Sequence, residues 1–266
     1  MSYDPSWELP ATTTTELFEK KRDHCILVLT KNQGETLREQ LRRMQSQTHL
    51  VDIVLCDGDS HDGSTELDFL RQCNVRTLLV SPEPGLGTAT RMGLAYALAE
   101  GYRGVLMMDG NGKDRVHTIT DVVRALEDGH DMVQASRFLP GGGHENTPLE
   151  RLVGIRLICS PILSLGSRFF WSDPNNTFKG MSRRYLVDPR LAPFRRVFQR
   201  YNLHYHLNRM APRLGYRALE VPHVRVYPDA GAGRLFRTEA TQIRGLRPRV
   251  QIVWELLLEV FGRYDV

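Results

Sequence analysis

Long apolar runs are missing from this chain. None approaches the roughly 20 residues that a helix needs to span a bilayer, so a membrane-spanning protein is not expected. Residues 1–15 are polar, contain Pro5 and Pro10, and lack a basic segment followed by an apolar core; no secretory leader is expected from them. Cysteine is scarce. The four residues, Cys25, Cys56, Cys73 and Cys159, show no metal-type spacing. Cys25 and Cys56 lie in or beside apolar runs that read as buried strands, where a free thiol behaves as a small hydrophobe, and a reducing cytoplasm is the simplest setting. Internal repeats and low-complexity tracts are also lacking.

What is present fits a globular α/β protein. With 266 residues, 41% hydrophobic and 25% charged, the chain is long enough for one large domain or two small ones. Its net charge of +4 is unevenly spread. Residues 1–136 carry 14 Lys and Arg against 21 Asp and Glu, a balance of −7, whereas residues 137–266 carry 21 against 10, a balance of +11. An acidic half followed by an arginine-rich half suggests divided labour, with a phosphate-bearing ligand, an anionic membrane surface or nucleic acid as partners for the basic half.

Periodicity divides the first half into alternating elements. Short apolar runs at 25–29, 51–56, 75–80, 105–108 and 132–135 read as buried strands. Between them, 35–47, 65–72, 88–101 and 118–127 have helical spacing. Residues 16–22 are expected to be helical as well. Strand–helix alternation over more than a hundred residues implies right-handed crossovers and a mostly parallel sheet. The second half predicts a flexible loop at 140–143, a largely helical stretch at 149–170, a strand at 178–181 and a helix at 198–214. Short strands at 218–221 and 223–227 follow, then a mobile loop at 229–249 and an amphipathic helix at 251–261.

Three of the strand ends carry acidic or glycine-rich loops: Thr30-Lys-Asn-Gln-Gly34, Asp57-Gly-Asp-Ser-His-Asp-Gly-Ser64 and Asp109-Gly-Asn-Gly-Lys-Asp114. In an open α/β sheet ligands bind outside the carboxyl ends of the strands. A carboxylate there can hold a divalent cation, and the cation a diphosphate.

These motifs resemble the family 2 glycosyltransferases with a GT-A fold, especially the dolichyl- and polyprenyl-phosphate sugar synthases. Val28-Leu-Thr-Lys-Asn-Gln33 is similar to the family's strand ending in Pro-Thr-Tyr-Asn-Glu, and the loop at 57–64 to its Asp-Asp-Gly-Ser-x-Asp-Gly-Thr. Gly85-Leu-Gly-Thr-Ala-Thr-Arg-Met-Gly93 resembles the synthases' Gly-Leu-Gly-x-Ala-x-Arg-x-Gly. Met108-Asp-Gly-Asn111 falls where the family has Met-Asp-Ala-Asp. Ala135-Ser-Arg-Phe138, Asp173-Pro-Asn-Asn-Thr-Phe-Lys-Gly180 and Leu214-Gly-Tyr-Arg-x-x-Glu-Val-Pro222 complete a series that runs in order over residues 25–228.

The resemblance implies a GT-A (Rossmann-like), mostly parallel sheet flanked by helices, as a single domain with a C-terminal acceptor-side extension. Residues 1–23 would form an arm, 24–136 the nucleotide-sugar half, 137–228 the acceptor half, and 229–266 a basic loop and terminal helix. It also implies transfer of a sugar, with inversion, from a nucleotide diphosphate sugar to a polyprenyl or other lipid phosphate; a glycan or small-molecule hydroxyl is the alternative acceptor. Thr30, Asn32, Asp57, Gly85, Arg91 and Asp109 fall at nucleotide-binding positions. Asp109, Asn111 and Asp114 fall where Mg²⁺ or Mn²⁺ would be held, and Arg137, Arg151 and Asp173 lie on the acceptor side. Arg137 joins Asp109 as a catalytic candidate because guanidinium pairs bidentately with phosphate oxygens.

Several positions depart from the pattern. Asn111 stands where the second metal aspartate is usual, which suggests weak metal binding or a sugar-nucleotide-binding protein with little catalysis. Lys113 could replace part of the cation's charge. Asp114 could bind the metal, pair with Lys113, or sit near a helix N-terminus. Gly58 replaces the second aspartate of the Asp-Asp pair. His204 is a candidate base for a hydroxyl acceptor, since its ordinary pKa suits the task; a packed histidine is the plain alternative. Arginines flanking the helices at 149–170 and 251–261, and the loop at 234–249, would suit peripheral docking at the inner face of an anionic membrane. The same apolar faces could instead be buried in the core or in a homodimer. Nucleic acid is not expected, because it would explain the arginines but not the acidic strand ends.

Overall fold

A computed structural model of the protein describes residues 4–227 and 246–266, the side chains of 246–249 excepted. In chain order the first half contains β1 (Thr13–Glu16), β2 (His24–Thr30), α1 (Gly34–Met44), β3 (Val51–Asp57), α2 (Leu67–Gln72), β4 (Val75–Val80), α3 (Leu86–Ala99), β5 (Gly104–Asp109), α4 (Thr118–Glu127) and β6 (Met132–Ser136). The second half contains β7 (Gly143–Glu145), α5 (Leu149–Gly154), a π segment (Ile155–Cys159), α6 (Ser160–Ser167), β8 (Lys179–Ser182), α7 (Arg183–Leu186), α8 (Asn202–Arg213), β9 (Ala218–Pro222), β10 (Val224–Val226) and α9 (Leu246–Val260).

Eight strands form one sheet in the order β1-β4-β3-β2-β5-β8-β6-β9, and β7 and β10 form a small parallel pair beside it. β4, β3, β2 and β5 run parallel, as do β6 and β9, while β1 is an antiparallel edge strand and β8 an antiparallel insertion between β5 and β6. β2 is buried along its whole length because both sheet faces are covered. Cys25, Leu27 and Leu29 enter a core shared with α3, α6, α8 and α9; Ile26 and Val28 enter a second core under α1, α2 and α4. That period-two division of a continuous apolar run is what a strand buried on two faces requires.

The chain winds outward from β2 through β3 to β4, then returns to place β5 on the other side of β2. The strand order therefore reverses between β2 and β5, the position where open α/β sheets form their ligand crevice. Register places Thr30 opposite Asp57 and Leu29 opposite Asp109, so the two carboxylates flank the end of β2, roughly 10 Å apart by strand spacing.

Three expectations need correction, and one holds in a modified form. The segment around Glu16 is a strand rather than a helix: β1 pairs with β4, and Leu17 N–H then donates to Arg76 O. β-Branched Thr13, Thr14 and Thr15 suit that edge. Gly143 opens β7 rather than a flexible loop. The stretch at 149–170 is largely helical, as expected, but not one regular helix. It loosens into the π segment, where Pro161 removes the N–H that would donate to Leu157, and ends at left-handed Arg168. Finally, residues 246–249 already belong to α9, while 228–245 lie outside the described residues.

α9 docks on α8 through a buried ionic network. Glu259 accepts from His206 Nδ1 and Arg209 Nη1, each at 3.0 Å, and Arg209 also binds Asp265. One face of α9 thus belongs to the core, with Leu256 fully buried, while Trp254 on the other face is exposed.

Candidate active site

The rim is assembled from backbone turns before any side chain reaches a ligand. Gly110 N–H donates to Leu29 O, and Gly58 N–H donates to Thr30 O, which ties the loops after β5 and β3 to the end of β2. Buried Gln40 of α1 braces the next turn: its Nε2 donates to Asp109 O (2.8 Å) and its Oε1 accepts from Gly112 N–H (2.6 Å). Sequence reading treated 35–47 only as an amphipathic helix and did not single out Gln40.

On the β3 side of β2, Asp57 accepts from Ser60 N–H (3.0 Å) and Ser60 Oγ (2.5 Å). Burial holds its carboxyl above the ordinary range against those hydrogen bonds. Asn32 has φ +48° and links the two loops, donating from its N–H to Ser60 Oγ and accepting from His61 N–H. Thr30 Oγ1 is buried without a hydrogen-bond partner among the described residues. A buried polar atom of this kind calls for a partner.

Gly85 and Arg91 have other work. Gly85, at φ +124°, caps α3 where a Cβ would lie 2.2 Å from Gln199 O, so close backbone packing excludes any side chain. Arg91 is corrected more firmly: it is buried and donates to Phe198 O (3.0 Å) and Glu8 O, clamping those two segments to α3 rather than facing a nucleotide.

On the other side of β5 the charges collect around Tyr227. Arg225 donates from Nη2 to Asp109 Oδ2 (2.9 Å) and from Nη1 to both oxygens of Asp114 (2.7 Å each). Arg151 Nη1 donates to Tyr227 Oη at 2.9 Å. Lys113 Nζ sits 4.9 Å from the Tyr227 ring centroid. Burial opposes ionisation of Tyr227, yet Arg225, Arg151, Arg137 and Lys113 together bring the phenol below its ordinary pKa. Burial and the charge of Arg225 lower the Lys113 ammonium in turn. His223, Arg225 and Tyr227 were missed as site residues. The signal was available: in a strand they share one face by period two, and all three are buried.

The remaining expected residues are paired inside the protein. Arg137 donates from Nε and Nη2 to the two oxygens of Asp173 (2.7 Å each), and both residues are buried. They form an ion pair behind the site, not two acceptor ligands, although Arg137 Nη1 is buried without a partner among the described residues. His204 is also corrected. Its Nε2 lies 3.3 Å from Thr90 Oγ1 between α3 and α8, and burial, with Lys179 nearby, holds its pKa well below the ordinary value. Buried in this way, it packs between the two helices as the plain alternative has it.

The expected cation ligands do not make a cation site. Asp114 is fully buried, saturated by Arg225 and by His223 Nε2 (2.8 Å). Asn111 turns its Nδ2 donor to Asp109 Oδ2 (3.1 Å) and its Oδ1 to Lys113 N–H (3.3 Å). Only Asp109 Oδ1 is left without a partner among the described residues, and a guanidinium already faces the same carboxylate. The protein thus offers a divalent ion one free carboxylate oxygen, a diphosphate would have to supply the other ligands, and the Arg225 charge 2.9 Å from the same carboxylate opposes a cation there. Among the described residues, the one close grouping of three ligand atoms is His206, Glu259 and Asp265, where Arg209 already bridges the carboxylates.

Lys179 lies in the interior beside this centre and donates to Asn208 Oδ1 at 2.6 Å. Burial pulls its pKa down to about 7, with Asp173 and Asp109 opposing. Its unfolded value is about 10.4. Between those limits the unfolded chain holds a proton that the folded chain lacks, so Lys179 makes stability rise with pH, by about 1.4 kcal/mol per unit. Below the folded pKa both states are protonated and this slope vanishes. Urea midpoints measured from roughly pH 6 to pH 9 should show that slope as the difference between wild type and Lys179→Met; parallel curves would refute the shift.

A sequence model described as "Glycosyl transferase family 2" matches residues 25–206. A polyprenol monophosphomannose synthase of Mycolicibacterium smegmatis is 29% identical over 132 residues, 48% of this chain and 50% of that one. A dolichol-phosphate mannosyltransferase of Pyrococcus furiosus is 27% identical over 130 residues, 47% of this chain and 36% of that one. The chain thus spans half or less of the length of these two relatives. Among solved structures, glucosyl-3-phosphoglycerate synthase from Mycobacterium tuberculosis, in complex with Mn²⁺, UDP and glucosyl-3-phosphoglycerate, superposes with a TM-score of 0.61 at 15% identity. That match covers 90% of this chain and 80% of the other, and it establishes a shared GT-A fold. No helix among the described residues is long and apolar enough to cross a membrane.

Proposed function

The chain belongs to glycosyl transferase family 2, and from that premise we propose that it moves a sugar from a nucleoside diphosphate sugar to a phosphate acceptor carried on a lipid. The observation that carries this reading is the cluster of Lys113, Arg151 and Arg225 around Tyr227, beside Asp109 at the sheet's switch point. Three cations there face two carboxylates, Asp109 and Asp114, while Arg137 and Asp173 neutralise each other behind them. Two phosphate-bearing ligands would meet a surplus of positive charge.

In the reaction, an acceptor phosphate oxygen attacks the anomeric carbon from the side opposite the diphosphate. The new C–O bond forms as the old one breaks, and the electron pair leaves on the nucleoside diphosphate. The carbon inverts. An ionised phosphate needs no proton removed, which agrees with a buried His204 and with no free base beside Asp109 among the described residues. Catalysis then rests on stabilising charge on the leaving diphosphate and aligning the acceptor.

The lipid is supported by the named activities of the two relatives and by the surface. Leu149, Leu157, Leu165, Phe170, Trp254 and Phe261 are all more than half exposed, on or beside α5, the π segment, α6 and α9, with Arg156 and Arg168 exposed in the same region. Apolar side chains edged by arginine favour an anionic lipid interface, and peripheral docking there would present the acceptor. The test pairs a panel of UDP- and GDP-sugars with polyprenyl phosphate in anionic vesicles and, separately, with soluble 3-phosphoglycerate, with mass analysis of products. Sugar on the lipid phosphate is the expected result. Sugar only on the soluble phosphate, or on a hydroxyl, would replace the lipid acceptor; binding without transfer would leave a sugar-nucleotide-binding protein.

A further inference from the structure

We propose that in this protein the charge of the donor diphosphate is met by Arg225 and Lys113, and that Asp109 is the counter-ion that aims Arg225 at it, so that binding and transfer proceed without a divalent cation. The inference rests on the donor and site proposed above and adds how that site handles charge.

Four observations lead to it. First, the acid that would complete a cation site is Asn111, whose amide donates to Asp109 rather than offering an oxygen beside it. Second, Asp114 is sealed by Arg225 and His223. Third, Arg225 bridges Asp114 and Asp109, and its Nη2 reaches the rim carboxylate at 2.9 Å. A guanidinium pinned from behind by one buried carboxylate is preorganised toward the other, and its charge is present at every working pH. Fourth, Lys113 makes no side-chain hydrogen bond among the described residues and lies over Tyr227 next to Arg225. It keeps three donors for an incoming anion. A divalent ion placed at Asp109 would stand against Arg225 and near Lys113, where like charges repel. A diphosphate placed there meets both cations. As the anomeric C–O bond breaks, the electron pair settling on the terminal diphosphate oxygen would be stabilised by the same two groups.

The experiment is calorimetric titration of the full chain with GDP and with UDP, in excess EDTA and again with added Mn²⁺, on wild type, Lys113→Met and Arg225→Lys. The expected result is that the preferred nucleotide binds wild type with comparable affinity in both solutions. Lys113→Met should weaken that binding roughly tenfold or more, by the loss of a charge-assisted contact, without lowering the melting temperature. Arg225→Lys, which keeps the charge but loses the fork between Asp109 and Asp114, should also weaken it. If that variant does not fold, Lys113→Met carries the test alone. Binding that appears only with Mn²⁺ and ignores Lys113→Met would overturn the inference and leave the glycosyltransferase reading standing. Absence of nucleotide binding in both solutions would overturn that reading itself.

Discussion

Asp109→Asn should reduce sugar transfer by on the order of 100-fold or more while the protein stays folded. Asp109 ends β5 at the switch point, and its carboxylate accepts from both Asn111 and Arg225. The amide keeps the shape and part of the hydrogen bonding but removes the charge that aims the guanidinium. Arg225 retains Asp114, so no buried cation is stranded and the melting temperature should change little. The loss should appear in kcat more than in acceptor KM, since the charge concerned develops as the diphosphate departs. Transfer rates with a circular-dichroism melt on the same sample check this. Wild-type turnover in a folded Asp109→Asn would remove Asp109 from the reaction.

Asp173→Ala should act on the fold instead, lowering stability by about 3–5 kcal/mol. Arg137 is buried and donates two 2.7 Å bonds to that one carboxylate. Deleting it leaves a guanidinium in the interior without its counter-ion, since the third nitrogen, Nη1, has no partner among the described residues to take over. In a chain of this size the melting temperature would fall by roughly 10 °C. Asp173→Asn should lose less, because an amide oxygen still accepts one bond. A residue that contacted the acceptor would behave differently: acceptor KM would rise and the melt would stay put. Thermal melts of both variants decide between the two.

The parallel half of the fold was legible because its signals are local. The apolar runs at 25–29 and 105–108 are too continuous for a half-exposed strand and too short for a helix, and α4 falls on the expected residues 118–127. The strand-end positions of Thr30, Asp57 and Asp109 follow from the same runs. Less legible were elements decided by distant partners. β1 exists because β4 offers an open edge, and β7 because β10 lies alongside it. Neither has enough apolar residues of its own to announce a strand.

For the site, the residue types around Asp109 were determined by the sequence alone: an acid closing a buried strand, an asparagine in place of the next acid, a lysine two positions on, and an excess of arginine in the second half. Tertiary structure alone decided which cation meets which anion. Asp114 and Arg225 are 111 positions apart, and Arg137 and Asp173 are 36 apart; each pair forms because the sheet brings its two segments together. A charge written in a sequence is only a need for a partner. Burial raises the cost of leaving that need unmet, so the folded chain commits Arg91, Arg137, Asp173 and Asp114 to internal partners and leaves the half-exposed groups, Asp109, Lys113 and Arg151, to face a ligand.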